Sequence, residues 1–220
     1  MNYRFIKYFL ALTVPFLAYF SFNGTGIITY APMIEAFLVI PLLELFFKPN
    51  SNNLNEAEEE MAKEDKSYDI VLYLLVPIIF FLLWEFLLSM RENISLFDKI
   101  GRILSMGLIC GGFGINVAHE LGHRNNKLEQ FLSKTLLLSS LYMHFFIEHN
   151  RGHHKRVSTK EDPSSARYGE NIFSFWLRSV FSGYVSAWNI EFKRLKRIKK
   201  YKFSIENEML RFQIIQLSFV

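Results

Sequence analysis

All six histidines of this 220-residue chain fall between His119 and His154. A lone histidine is more often structural than ligating. Six in one short window reverse that expectation, because imidazole is the commonest side-chain metal ligand. His119-Glu120-Leu121-Gly122-His123 sets two imidazoles four residues apart, on one helical face and one turn from each other, so that both reach one ion. Glu148-His149-Asn150-Arg151-Gly152-His153-His154 repeats the spacing with His149 and His153, while His154 points about 100° away round the helix. Two facing directions suit two ions better than one. His144 lies outside both clusters and is expected to be a structural or supporting side chain, as are Glu120 and Glu148 beside the ligands. The single cysteine, Cys110, sits in an apolar stretch, which excludes a disulfide framework and a thiolate site. The ligands must therefore be nitrogen and oxygen.

The elements that carry these residues read as membrane helices. Half of the residues are hydrophobic, 23 are Phe, and the mean hydropathy is +0.14. The apolar residues are gathered into runs close to the ~20 residues that cross a bilayer. Spans are predicted over about 8–22, 27–47, 70–90 and 100–117. Arg4 and Lys7 precede the first, and no small-x-small cleavage site follows it, so it reads as a signal anchor that stays. Glu35 and Glu44 in the second are expected near helix ends or facing a protein interior. Gly101, Gly107, Gly111, Gly112 and Gly114 make the fourth the most closely packed helix of the set. Residues 48–68 read as a solvated loop without apolar periodicity.

From Arg151 to Lys202 there are 13 Lys and Arg against 4 Asp and Glu. The positive-inside rule makes the region 118–208 cytoplasmic, together with the amino terminus and the 48–68 loop. Asn23–Gly26 and Arg91–Lys99 are then the outside turns. The segment 128–147 must not cross, since a crossing would part the two clusters by a bilayer thickness; it is expected to lie along the interface or to dip and return. The aromatic stretch 171–190, interrupted by Arg178, reads the same way, with a fifth span as its alternative. The basic run Lys193–Lys200 is either a stop-transfer or lipid-headgroup patch or a docking surface for an acidic redox partner. Residues 210–220 look like the opening of another span. No nucleic-acid partner is expected.

His119-Glu120-Leu121-Gly122-His123, then Glu148 to His154, then Lys160-Glu161-Asp162-Pro163-Ser164-Ser165-Ala166-Arg167-Tyr168-Gly169-Glu170 and Ala187-Trp188-Asn189-Ile190-Glu191 resemble the integral-membrane alkane hydroxylases. Their relatives include the xylene monooxygenases and, more distantly, the membrane fatty-acid desaturases and hydroxylases. The resemblance implies an all-α, multi-pass transmembrane bundle in the bacterial inner membrane. It would carry a histidine-rich site for two non-haem iron ions on the cytoplasmic face. It further implies O2-dependent terminal hydroxylation of medium-chain n-alkanes to primary alcohols, with electrons from rubredoxin and rubredoxin reductase. By motif, the iron ligands would be His119, His123, His149, His153 and His154. Imidazole suits iron, and an alkane without a polar handle needs an apolar site open to lipid; no substrate-binding residue is singled out. The family carries a third histidine box and a further histidine motif after the position where this sequence ends. Five histidines are too few for two irons, so the chain is expected to be an amino-terminal fragment, inactive alone.

Two other readings compete. His119-Glu120-x-x-His123 is also the zinc metalloprotease motif, with Glu120 as general base. That chemistry needs one further ligand rather than three more histidines. A membrane desaturase or fatty-acid hydroxylase is closer, although those enzymes commonly carry HxxxH and HxxHH boxes, whereas the second box here is His149-x-x-x-His153-His154.

Overall fold

A computed structural model of the chain describes residues 3–47 and 55–220. Among these the secondary structure is helical throughout, without a strand. Among the described residues four helices are long and apolar enough to cross a membrane: α1 (Ile6–Asn23), α2 (Gly26–Phe46), α4 (Lys66–Ser89) and α5 (Leu96–His123). Much of their surface is apolar and exposed, including Phe37, Leu42, Phe46, Phe81 and Trp84. At about 25 cal/mol per Å² such faces are costly in water and free of that cost in lipid. The chain is a membrane protein.

Short polar caps set where the helices begin. Asn55, Asn126, Asn171 and Asn207 each accept a backbone N–H of the following turn, and Ser95 does the same for α5. The expected loop over 48–68 needs correction. Residues 48–54 lie outside the described part, but α3 (Glu56–Glu64) is a helix, opened by a capping box between Asn55 and Glu58. Its charged side chains give no apolar period, yet Ala, Glu, Met and Lys are good helix formers, and the cap supplies the start.

The described residues form two compact units, residues 1–117 and 118–220. In the first, Ala18 and Phe22 of α1 meet a core that includes Leu75, Ile79 and Leu82 of α4. The two short connections at one end of this unit are joined. Arg102, almost fully buried, donates to the carbonyls of Ser89 at 2.7 Å and Gly24 at 2.9 Å, and to Glu92 at 3.1 Å. Asp98 takes the Gly26 N–H at 2.6 Å. Glu35 faces inward, accepting from the Thr13 hydroxyl at 2.5 Å, and Glu44 is exposed near the end of α2.

The fourth candidate span is the most buried of the four. Its glycines contribute unequally. A Cβ at Gly101 would run into Thr29 and Tyr30, whereas Gly107 and Gly111 have nothing described within 4 Å. The helix is not α-helical along its whole length either, because Ile109–Ile115 is a π-turn segment within α5.

In the second unit, α6 (Lys127–Ser139) ends at a tight reversal in which Leu141 takes φ 53°. The chain then enters α7 (His144–Glu148), a π-turn over His149–His153, and a last turn to Arg156. The aromatic stretch and the first part of the basic run belong to one 26-residue helix, α8 (Ile172–Arg197), and α9 (Glu208–Phe219) closes the unit. Leu121, Leu136, Ile147, Ala187, Leu195 and Met209 are wholly buried at its core.

Candidate metal centre

His119 and His123 lie in the last turns of α5, one helical turn apart, and their Nε2 atoms are 3.0 Å from each other. His123 Nε2 is also 3.1 Å from His149 Nε2, which in turn is 3.0 Å from His154 Nε2. One ligand atom from each of these four residues lies within 4.8 Å of all the others. Each neutral imidazole carries one N–H, so a group of ring nitrogens aimed at one another brings lone pairs together. A shared cation removes that conflict. Donors that share a first-row ion at about 2.0–2.1 Å, at right angles, stand about 3 Å apart, which is the separation seen. The residues present fit a metal ion.

The backbone explains which histidines meet. In an α-helix His149 would share its face with His153. The π-turn over His149–His153 widens the coil to an i→i+5 pattern and brings His154 beside His149. The pairing expected from α-helical spacing is therefore corrected: His154 is the fourth member of the group, and His153 stands next to it. Its ring stacks with His149 at 5.2 Å, and its Nδ1 contacts Asp162 Oδ2 at 2.9 Å. A π-turn of this kind leaves no clear mark in the residue pattern.

Electrostatics keep the cluster ready for a cation. Burial, and then the neighbouring rings of His119, His154 and His123, push His149 down to about 3, so it is neutral at physiological pH. Burial alone would raise Asp162. The Ser165 hydroxyl, the His153 ring and the Ser164 N–H outweigh it and hold the carboxyl below its ordinary value. Asp162 is thus an anion beside His153.

The supporting residues expected from the sequence have separate surroundings. Glu120 pairs with Arg124 at 3.2 Å on the exposed side of α5. Glu148 is buried under the second box, takes hydrogen bonds from Arg156 at 2.8 Å and Ser186 at 3.1 Å, and has its carboxyl raised chiefly by burial. His144 is buried between the rings of Tyr142 and Tyr184, and neither of its nitrogens has a hydrogen-bond partner among the described residues. It is not part of the cluster.

Arg151, inside the box, is fastened to two buried carboxylates: 2.7 Å to Glu208 of α9 and 3.5 Å to Glu191 of α8. Glu191 also receives the Glu208 N–H at 2.8 Å, and Lys134 of α6 reaches Glu208 at 2.8 Å. Gly152 is required by close approach, since a Cβ there would stand 2.5 Å from Glu148 Oε1 and 2.8 Å from Ile190 Cδ1. Sequence reasoning missed Asp162 and Phe145, which stacks with His149 at 4.8 Å. The Asp-Pro-Ser-Ser run signals a turn, and Asp162 does take the Ser164 N–H at 3.0 Å. It does not say which ring the other carboxylate oxygen faces.

The chain has relatives among known proteins. The fatty acid desaturase family model matches residues 100–220. The chain belongs to the fatty acid desaturase family. Within it, the chain is similar to an alkane 1-monooxygenase of Pseudomonas putida, at 34% identity over 95% of the chain and 54% of the relative. It is 37% identical to an alkane 1-monooxygenase of Acinetobacter baylyi over 79% of the chain and 42% of the relative. A more distant relative is the hydroxylase component of a xylene/toluene monooxygenase of Pseudomonas putida, at 25% identity over 54% of the chain. The chain spans about half the length of the curated relatives it matches. The family match covers both histidine boxes, which the metalloprotease reading leaves unexplained.

Proposed function

We propose that the whole protein is an alkane 1-monooxygenase, which hydroxylates the terminal carbon of medium-chain n-alkanes with O2 at a non-haem di-iron centre. The observation that carries the reading is the convergence of His119, His123, His149 and His154, in a chain whose alkane 1-monooxygenase relatives match it across both boxes. His153 is proposed as the fifth ligand, because Asp162 holds its Nδ1 and leaves Nε2 to a metal, the usual carboxylate–histidine–metal arrangement. Iron, when bound, supplies the redox chemistry that activates O2. The chain's own residues orient and exclude: Phe145 and His153 stack with His149 and fix its plane, and Asp162 fixes the tautomer of His153.

The boxes are proposed to face the cytoplasm of a bacterial inner membrane, supported by the basic bias of residues 151–202. Residues 210–220 are proposed to open a further span. Rubredoxin, with its reductase, is the proposed electron source. The exposed lysines about residues 193–200 supply a surface for an acidic carrier. The test is to supply the whole protein with n-octane, O2, NADH, rubredoxin and rubredoxin reductase and to identify products. 1-Octanol supports the reading. An alkene product, or turnover of acyl chains and not octane, favours a desaturase or fatty-acid hydroxylase instead.

A further inference from the structure

Arg178 interrupts an otherwise aromatic stretch, and its charge has no part in the metal cluster. The side chain is largely buried, and it uses most of its donors. Nε and Nη2 grip Glu170 at 2.6 and 2.7 Å, Nη1 donates to the Pro163 carbonyl at 3.0 Å, and Nη2 donates to the Ser165 carbonyl at 2.9 Å. Pro163 and Ser165 flank the turn that begins at Asp162. The Ser165 hydroxyl donates to Asp162 Oδ2 at 2.5 Å, and the same oxygen meets His153 Nδ1 at 2.9 Å. A continuous set of contacts therefore runs from a rigid point on α8, through the loop, to one imidazole of the second histidine box. All of these contacts lie within residues 153–178.

We infer that Arg178 is a positioning residue for the metal centre, acting through the Pro163–Ser165 turn and Asp162 to hold His153 in ligating orientation. A bidentate guanidinium suits the task, because it fixes direction as well as distance. Lysine would keep the charge and lose the fork. The inference rests on the reading of the histidine cluster as a metal centre. It goes beyond that reading by assigning a role to a residue outside both boxes.

Co(II) titration of the purified protein in detergent micelles, followed by its visible absorption bands, tests this. Arg178→Ala should weaken Co(II) about tenfold, within the range for loss of a partner that orients a ligand, and alter the bands. Arg178→Lys should recover part of the loss. The deciding comparison is a double-mutant cycle with His153→Ala. If Arg178 acts through His153, Arg178→Ala changes affinity less than twofold once His153 is gone. An equal loss in both backgrounds, or none in either, overturns the inference. Should Arg178→Ala fail to fold, Glu170→Gln enters the same cycle, with about threefold expected in the wild-type background and none without His153. A wild-type protein that takes up no Co(II) overturns the metal reading itself, and the inference with it.

Discussion

His149 and His154 are five residues apart, yet their Nε2 atoms stand 3.0 Å from each other, across a π-turn. That spacing, and not the α-helical four, sets which imidazole of the second box converges with His149. It makes His149 the member that joins the two boxes, in contact with His123 of the first and His154 of the second. His149→Ala should accordingly abolish tight metal binding, whereas His144→Phe should leave metal content unchanged. Metal analysis of the two purified variants checks this.

Gly152 and Gly107 make opposite predictions. Gly152→Ala forces a methyl group against Glu148, Arg156 and Ile190. It should disturb the turn that carries the box and lower both stability and metal content. Gly107→Ala and Gly111→Ala meet open space. They should be neutral or stabilising by up to about 1 kcal/mol. Unfolding in mixed micelles measures all three.

Glu191 is completely buried and holds Arg194 at 2.6 Å, Arg151 at 3.5 Å and the Glu208 N–H at 2.8 Å. Removing this charge deprives Arg194 of its closest anion, while Arg151 keeps Glu208 at 2.7 Å. Glu191→Gln is expected to cost about 2 kcal/mol, the loss of a charge-assisted hydrogen bond, read from the same unfolding experiment, and to loosen the box through Arg151.

Burial holds His144 down to about 4, against an ordinary value of 6.5. Between those values the unfolded chain binds a proton that the folded chain refuses. Stability is therefore complete above pH 6.5 and falls as the pH falls through that window. For this group the loss at pH 5 is about 2 kcal/mol. His144→Phe should flatten the pH dependence between about 7 and 5 by that amount, when metal-free wild type and variant are compared.

Much of this was legible in the chain itself. Hydropathy marks the four apolar helices, because a bilayer demands length and apolarity and little else. The two boxes mark the cluster, since histidines at turn spacing have few other uses. What the sequence leaves hidden depends on contacts distant in the chain or on local coil geometry. The partnership of His149 with His154 needs the π-turn, which no residue pattern announces. Asp162 reads as a turn former and becomes a partner of His153 only when the loop folds back. The helix at Glu56–Glu64 has no buried face to betray it, only a cap. The glycines of the fourth span look alike in sequence, and only the packing at Gly101 separates them.

X-ray absorption at the iron edge of the whole protein, purified anaerobically with iron, is the most direct measurement of the central claim. The account predicts nitrogen-rich coordination at about 2.1 Å with the multiple scattering of several imidazoles, lost in His149→Ala. Iron without imidazole scattering, or a protein that holds one zinc ion and excludes iron, would contradict it.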